Sequence, residues 1–492
     1  MRPENDLITQ RLKKLKELRD MGVNPYPYTF DQTHHAHGIL HNYKNLAKEE
    51  KTTDFVSIAG RIMTLRDMGK ASFVTIQDGT GKVQAYIRQD YVGEQYAIFK
   101  KLDLGDIIGV KGTVFRTKMG EITVAATDLT LLTKSVRPLP EKWHGLKDIE
   151  TRYRKRYLDL ISNPEVKEIF KKRAAIIDAL REYLKQHTFL EVDTPVLQPI
   201  YGGANARPFT SFLHDLKMDV YLRISDELYL KRLIVGGYER VFEIGKNFRN
   251  ESIDKTHNPE FTMMECYAAY WDYNDVMNFV EDCYTHIAKK VFGTTKFEYQ
   301  GNILEFKKPW RRITMIDSIK EYANVDVSKM SDEELQNTLR NYNIEYEGDF
   351  SWGLGVQSLF EELVEDKLIQ PTFITDHPVE STPLCKEKRG DKRLVERFEP
   401  FCCGMEIGNA YSELNDPYVQ RKLLEREEAA LEKGNEEANP VDEDFLESIE
   451  YGMPPTGGLG LGIDRMIMLM TNNPSIRDVI LFPFMKDEKS SC

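Results

Sequence analysis

The chain has 492 residues, is 41% hydrophobic and 30% charged, and carries a formal net charge of −12. That length supports two or three domains with a large core, and the acidic balance argues against wholesale non-specific nucleic-acid binding while leaving room for a local basic surface. No apolar run reaches the ~18–20 residues that span a bilayer, the N-terminus lacks an apolar signal core, and six cysteines without a CxxC pair suit a reduced cytoplasmic protein with neither a disulfide frame nor a structural zinc.

Residues 1–53 form an N-terminal extension. In MRPENDLITQRLKKLKELRD, Ile8, Leu12, Leu15 and Leu18 repeat at helical spacing, with Arg11, Lys13, Lys14, Lys16 and Arg19 around them. This predicts a docked amphipathic helix, with a basic face for RNA as the minority reading. From 54 to 135 the pattern changes to short strands: FVSIAGRIM, SFVTIQD, KVQAYIRQ, DIIGVKGTVF and EITVAAT, punctuated by Asp78-Gly79-Thr80-Gly81 and Lys118-Met119-Gly120. One helix, Tyr91 to Lys101, sits between the third and fourth. This order fits a Greek-key barrel of the OB type. Alternation turns Val74, Ile76, Val83, Ala85 and Ile87 inward, and Phe73 and Gln84 outward. An exposed aromatic beside an amide and Arg66 suits stacking on and reading of an unpaired base; the bland alternative is a patch covered by another domain.

Residues 136–150, with Pro138, Pro140 and Gly145, read as a linker to a second domain over 151–492. Asn163 as N-cap and Pro164 at the first helical position open a helix to about Gln186, with Val166, Ile169, Phe170, Ile176, Ile177, Leu180 and Leu184 as its apolar stripe. FLEVDTPVLQ reads as a strand interrupted at Pro195. Val241 to Tyr267, VFEIGKNFRNESIDKTHNPEFTMMECY, reads as a long hairpin whose tip gathers Arg249, Glu251, Lys255 and His257. Arg forks match phosphate oxygens, so the tip is a candidate phosphate clamp; a solvated ion pair is the bland alternative.

Trp271 to Asp366 shows helical patterns, including an accessory helical insertion at about 310–370. Lys329-Met330-Ser331 is similar to the start of a class I synthetase signature, KMSKS, but Asp332 and Glu333 follow and no HIGH motif accompanies it, so the match is coincidental. Leu423 to Glu437 reads as a solvated helix. In RFEPFCCGMEIGNAYSELND, Glu399, Glu406 and Glu413 recur every seven residues. On a helix they would form a solvated stripe, but Gly404, Gly408, Ile407 and Tyr411 favour strands. Carboxylates clustered in apolar surroundings call for a metal or another cation. The glycine-rich GMPPTGGLGLGIDRMIMLM lacks the βαβ setting of a dinucleotide fingerprint.

Taken together these strings resemble the class II lysyl-tRNA synthetases. FRNE…HNPEF resembles their motif 2, the long helix and Pro195 strand resemble motif 1 with its dimer interface, and GLGLGIDR resembles motif 3. GKASFVTIQDGTGKVQAY is similar to the anticodon-binding barrel of the lysyl, aspartyl and asparaginyl enzymes, and EIGNAYSELND to the lysyl pocket.

The resemblance implies an α+β fold: an N-terminal OB-fold β-barrel plus a class II catalytic domain, an antiparallel sheet flanked by helices, in a homodimer. It implies L-lysine activation by ATP with Mg2+, then lysyl transfer to tRNA(Lys). Arg249 would meet the α-phosphate and Arg465 the γ-phosphate, with glycines of motif 3 letting ATP approach the backbone. Glu251, His257, Asn258 and Phe261 would position ATP, and Glu399 and Glu406 would hold Mg2+. Gly203, Glu227 and Glu265 would take the substrate α-amino group, and Glu413 and Tyr267 its distal group, with Asn409 and Tyr411 lining the pocket. Phe73 would stack on the central anticodon uridine and Gln84 read its edge, with Arg66 and Glu121 as further contacts; Leu65 stands where some members carry a second Arg. A buried carboxylate beside a phenol selects a cation, favouring lysine over aspartate. The alternatives are a paralogue for another amino acid, a protein-lysylating enzyme and a non-catalytic RNA-binding relative.

Overall fold

The computed structural model describes residues 3–140, 146–345 and 350–487, in two units, Met1–Lys147 and Asp148–Cys492. Residues 141–145 of the linker stretch, and Cys492, lie outside the described residues. In the first unit, α1 (Pro3–Asp20) buries Leu15 and Leu18, but Leu12 is exposed and Arg11 takes its place on the inner side. The Arg11 guanidinium donates to the carbonyls of Leu104 at 2.9 Å and Arg137 at 3.0 Å, and Lys14 pairs with Asp103 at 2.6 Å. Loop carbonyls left without strand partners need donors, so part of the basic face is committed to docking.

Five strands follow: β1 (Lys51–Asp67), β2 (Ala71–Gln77), β3 (Lys82–Arg88), β4 (Ile107–Arg116) and β5 (Ile122–Thr133) close a barrel in the order β1-β2-β3-β5-β4. Val74, Ile76, Val83, Ala85 and Ile87 are buried, as the two-residue period requires. The β2–β3 turn is tied by Asp78, whose Oδ1 accepts from the backbone of Thr80 at 2.7 Å and Gly81 at 2.9 Å. In place of the single helix expected between β3 and β4 there are two short ones, α2 (Gln89–Val92) and α3 (Gln95–Phe99). Gly93, at φ +57°, separates them in a conformation that a continuing helix cannot adopt.

In the second unit α4 (Pro164–Gln186) starts at its proline as expected, but Asn163 makes no side-chain cap; its amide donates instead to Asp159 at 2.6 Å. The strand expected across FLEVDTPVLQ is reduced to Leu190–Glu191 and Leu197–Gln198, in different sheets, because Pro195 has no N–H to donate to a ladder. Next come α5 (Glu227–Val235), β6 (Arg240–Phe248), β7 (Glu260–Ala269) and α6 (Tyr273–Phe292). The central sheet is completed by β8 (Thr372–Pro378), β9 (Asp391–Cys402), β10 (Gly408–Ser412) and β11 (Thr456–Gly462), followed by α7 (Ile463–Thr471). Across the sheet the order is Arg311–Thr314, β8, β9, β10, β11, β7, β6, Leu190–Glu191. Its inner pairings are antiparallel and the outermost at each end is parallel.

One face of this sheet carries the main core. Ile176, Leu180 and Leu184 of α4 and Phe279, Val280 and Cys283 of α6 pack there with Phe242, Met264, Leu459 and Leu461. Each large apolar side chain so buried contributes roughly 1.5–3 kcal/mol. α6 is bounded by its own chemistry: Asp272 and Asp275 form a capping box, and Gly293 ends the helix at φ +70°. The region expected to be helical also holds strands, Lys296–Tyr299, Asn302–Glu305 and Arg311–Thr314. Helices Met315–Ala323, Asp332–Asn341 and Trp352–Leu363 share a separate apolar cluster around Ile319, Leu335 and Leu359. Ser331 of the coincidental KMS string is the N-cap of the second of these, accepting from Glu334 N at 3.3 Å.

Candidate active site

The cleft lies on the opposite face of the sheet from that core, and strand parity builds it. Along β7, Met264, Cys266 and Ala268 enter the core, while Phe261, Met263, Glu265 and Tyr267 line the cleft. Along β11, Leu459 and Leu461 are core residues. Gly462, Gly460 and Gly458 stand opposite Met263, Glu265 and Tyr267, leaving bare backbone as a floor. The cavity is about 380 Å³, and every catalytic-domain residue to which the resemblance assigns a role lines it.

One end is acidic. Glu227, in the first turn of α5, accepts from Lys231 Nζ at 2.5 Å and from the Tyr411 hydroxyl at 2.6 Å. Glu413 pairs with the same Lys231. Glu265 accepts from Ser225 Oγ at 2.9 Å and the Asp226 amide at 3.3 Å. Burial and the neighbouring Glu227 push the Glu265 carboxyl up to about 7. Burial also drives Glu413 well above its ordinary value; Lys231 pulls it back and Glu227 opposes that. Burial works against the Lys231 charge, yet Glu227 and Glu413 hold its pKa above the usual lysine value.

Tyr267 and Glu413, expected to act as one unit, have separate partners. The Tyr267 hydroxyl donates to Glu265 at 3.3 Å, and the cation on Glu413 is Lys231. Gly203 has φ +91°, and a Cβ there would come within 3.0 Å of Glu227 Cβ. At Gly458 the space that a side chain would take is filled by the pocket's own residues: a Cβ would stand 1.8 Å from Glu413 Oε1 and 2.6 Å from Tyr267 Cε1.

The remaining lining residues set arginines among carboxylates: Arg249, Arg397 and Arg465 with Glu251, Glu399 and Glu406. The Arg249 guanidinium lies 5.2 Å from the Phe261 ring centroid, a stacked arrangement that fixes the fork. Arg465, in the first turn of α7, donates to the Glu406 carbonyl at 2.5 Å and lies 3.0 Å from His257 Nε2. The other His257 nitrogen is 2.8 Å from Asp254 Oδ2. Partial burial opposes ionisation of Asp254, but bonds from His257 and the amides of Thr256 and His257 bring it down to about 2. Asn258 is buried, its amide donating to the Glu260 carbonyl at 2.6 Å. Glu251 stays exposed at the rim. Lys255, grouped with the clamp in the sequence, is not among the lining residues; its carbonyl accepts from Ile476 N at 2.7 Å. Glu399 pairs with Arg397 at 2.6 Å, and withdrawal from water together with Glu399 raises the Glu406 carboxyl.

On the outer face of the barrel, Phe73 packs against Tyr86 with centroids 4.8 Å apart, and exposed Arg66 stands opposite Phe73 in the β1–β2 register. The Gln84 amide donates to Glu121 at 2.8 Å and accepts from Thr123 Oγ1 at 2.8 Å. The four residues expected to read a base share one surface.

Residues 148–486 match the family described as "tRNA synthetases class II (D, K and N)", and residues 56–132 match "OB-fold nucleic acid binding domain". The chain is 54% identical over 486 residues to the lysine–tRNA ligase of Pelotomaculum thermopropionicum, covering 98% of this chain and 95% of that protein. It is 52% identical to the lysine–tRNA ligase of Carboxydothermus hydrogenoformans, covering 98% of each. With that of Clostridium botulinum it shares 52% identity, over 99% of this chain and 97% of the other. The chain belongs to the class II tRNA synthetases.

Three residues of this synthetase's sites escaped the sequence reading. Lys231 left a signal, standing four residues after Glu227, a spacing at which opposite charges meet on a helix such as α5. Arg397 left another, two residues before Glu399 on one strand face; it joins Glu399 to Asn409, whose Oδ1 it reaches at 2.9 Å. Tyr86 has the parity of Gln84 in KVQAYIR and completes the aromatic surface.

Proposed function

We propose that this synthetase is a lysine–tRNA ligase, which joins L-lysine to ATP as lysyl-adenylate, releasing pyrophosphate, and transfers lysyl to the 3′ end of tRNA(Lys). The observation that carries the reading is the buried carboxylate set Glu227, Glu265 and Glu413 in the same cleft as Arg249 and Arg465. The names of the relatives agree with it. The substrate α-amino group lies with Glu227, Glu265 and the Gly203 backbone, and its side-chain ammonium at Glu413 and Tyr267, between Asn409 and Tyr411. A neutral side chain would leave the buried carboxylates of this end one cation short, which a desolvated site disfavours.

Phe261 stacks on adenine, and Glu251, His257 and Asn258 hold the nucleotide. The Arg249 fork takes the α-phosphate oxygens as the lysine carboxylate attacks phosphorus in line, and Arg465 holds the γ-phosphate of the leaving pyrophosphate. Among the described residues no group of three or more His, Cys, Asp and Glu is arranged to hold a metal alone. Glu399 and Glu406, the second with its proton affinity raised by burial and by the neighbouring Glu399, fit a Mg2+ that would take its remaining ligands from phosphates and water. Bound there, Mg2+ would neutralise phosphate charge.

On the barrel, Phe73 stacks on the central anticodon uridine, Gln84 reads its edge, and Arg66 and Glu121 complete the contact. Dimerisation runs through α4 and the segment after it, where Leu190, Val196 and Leu197 are exposed. Among the described residues no helix is long and apolar enough to cross a membrane, and we place the enzyme in the cytoplasm. ATP–pyrophosphate exchange with each of the twenty amino acids, without tRNA, tests the reading. Exchange with lysine alone is the expected result; exchange with another amino acid overturns the pocket assignment, and none at all overturns the enzyme.

A further inference from the structure

Behind the carboxylates of the acidic end stands a cation that is not among the cleft-lining residues. Lys231, one turn along α5 from Glu227, is fully buried. Its Nζ lies 2.5 Å from Glu227 Oε1 and bonds Glu413 as well, with the rings of Tyr411 and Phe445 5.5 and 6.0 Å away. No other cation is paired with either carboxylate among the described ion pairs.

We propose that Lys231 is a positioning residue for substrate selection: by bonding Glu227 and Glu413 together it fixes the spacing of the two ends of the amino-acid pocket and cancels one of the pocket's negative charges. This rests on the lysine-pocket assignment made above. With Glu227, Glu265 and Glu413 ionised, the pocket holds three buried negative charges. Lys231 neutralises one and leaves two, the number that the α- and side-chain ammonium groups of a diamino acid supply. A monoamino acid leaves one carboxylate unmatched, and an acidic amino acid adds a negative charge; both are disfavoured in a desolvated site. The bridge also ties the carboxylate meeting the α-amino group to the one meeting the distal ammonium, so the separation that measures chain length is held from behind rather than by the substrate. The groups facing this bridge are Glu265 and Tyr267 on β7, Tyr411 on β10, and Cys385.

The test is pyrophosphate exchange by the full chain carrying Lys231→Met, with lysine and with ornithine, as a function of pH. The lysine KM should rise roughly tenfold to hundredfold, the effect of losing a charged hydrogen-bond partner, with a smaller change in kcat. Preference for lysine over ornithine should narrow. The acid limb of kcat/KM should move to higher pH, because Glu413 without its cation keeps its proton longer. Lys231→Arg, which keeps the charge with a different reach, should restore the acid limb but leave the preference narrowed. An unchanged lysine KM and acid limb in Lys231→Met, with a normal thermal melt, overturns the proposal. If Lys231→Met does not fold, Lys231→Arg decides: an unchanged lysine-to-ornithine preference overturns it. Glu413→Gln separates the two readings. If that variant keeps the lysine KM, the pocket assignment itself falls; if it raises the KM while Lys231→Met does not, only the role of Lys231 falls.

Discussion

A single methyl group on the cleft floor should disable amino-acid recognition without touching the ATP end. In Gly458→Ala the new Cβ falls 1.8 Å from Glu413 Oε1 and 2.6 Å from Tyr267 Cε1. A carboxylate tip can usually swing aside, but Glu413 is buried and held by Lys231, so yielding means breaking that ion pair or shifting a strand. Overpacking of this kind costs about 1–3 kcal/mol. Because the displaced group is the one proposed to receive the distal ammonium, a similar loss should appear in lysine binding, roughly a tenfold to hundredfold rise in KM.

Gly457→Ala is the matched control. Its Cβ would stand 2.7 Å from Val276 Cγ2 and 3.2 Å from Trp271 Cβ, on the core side of the same strand. It should lower the melting temperature comparably and leave the lysine KM near its original value. The assay is pyrophosphate exchange at varied lysine and at varied ATP, with a thermal melt of each variant. A normal lysine KM in Gly458→Ala refutes the reasoning, and so does an equal rise in both variants.

Arg249→Ala should slow adenylate formation by about a hundredfold to a thousandfold, the loss typical of one oxyanion-stabilising group; near-normal single-turnover formation would remove its central role. Glu265, pushed up to about 7 by burial and Glu227, must be ionised to receive an ammonium, so binding is supported above that pKa and lost below it. The lysine kcat/KM should therefore fall about tenfold per pH unit as pH drops below it, and a profile flat to pH ~5 would contradict this. Phe73→Ala should cost about 1–3 kcal/mol of base stacking, lowering kcat/KM for tRNA charging while leaving pyrophosphate exchange unchanged; equal loss in both assays would place Phe73 elsewhere.

What was legible in the sequence was what one residue and its near neighbours decide. Alternation in SFVTIQD and KVQAYIRQ placed Val74 and Ile76 inside and Phe73 and Gln84 outside, because pleating forces the choice. Asn163 and Leu12 failed for the opposite reason. Their sequence contexts are those of a cap and an apolar stripe, but the Asn163 side chain is turned to donate to Asp159 instead of accepting from the helix N–H groups, and the carbonyls of Leu104 and Arg137 drew Arg11 to the inside of α1. Site roles depended on resemblance, since nothing in the spacing of Glu227, Glu265 and Glu413 says that three distant segments meet. The bridge through Lys231 carries a local i,i+4 signal only for Glu227; its second partner lies 182 residues away in sequence. The split of helix Tyr91–Lys101 turns on Gly93 alone, a one-residue cue that apolar periodicity does not register.

The geometry also explains why recognition and chemistry can be placed on one strand without interfering. Phe261, Met263, Glu265 and Tyr267 follow one another on one face of β7, so the first and last are separated by about 20 Å of strand rise. At one end of that span the strand presents an aromatic ring beneath Arg249; toward the other, two residues before Tyr267, it presents Glu265, a carboxylate whose proton affinity is raised by burial and a second carboxylate. Opposite, β11 places Gly462, Gly460 and Gly458 against Met263, Glu265 and Tyr267, so on the cleft side it adds no side chain of its own. An amino acid joined to a nucleotide through a phosphate has that polarity: cationic at one end, aromatic at the other and anionic between. The requirement falls on alternate residues only, leaving Met264, Cys266, Leu459 and Leu461 to hold the sheet to α4 and α6. Substitutions on the core parity should therefore be read out as stability and those on the cleft parity as specificity, even where the two residues are adjacent, as Gly457 and Gly458 are.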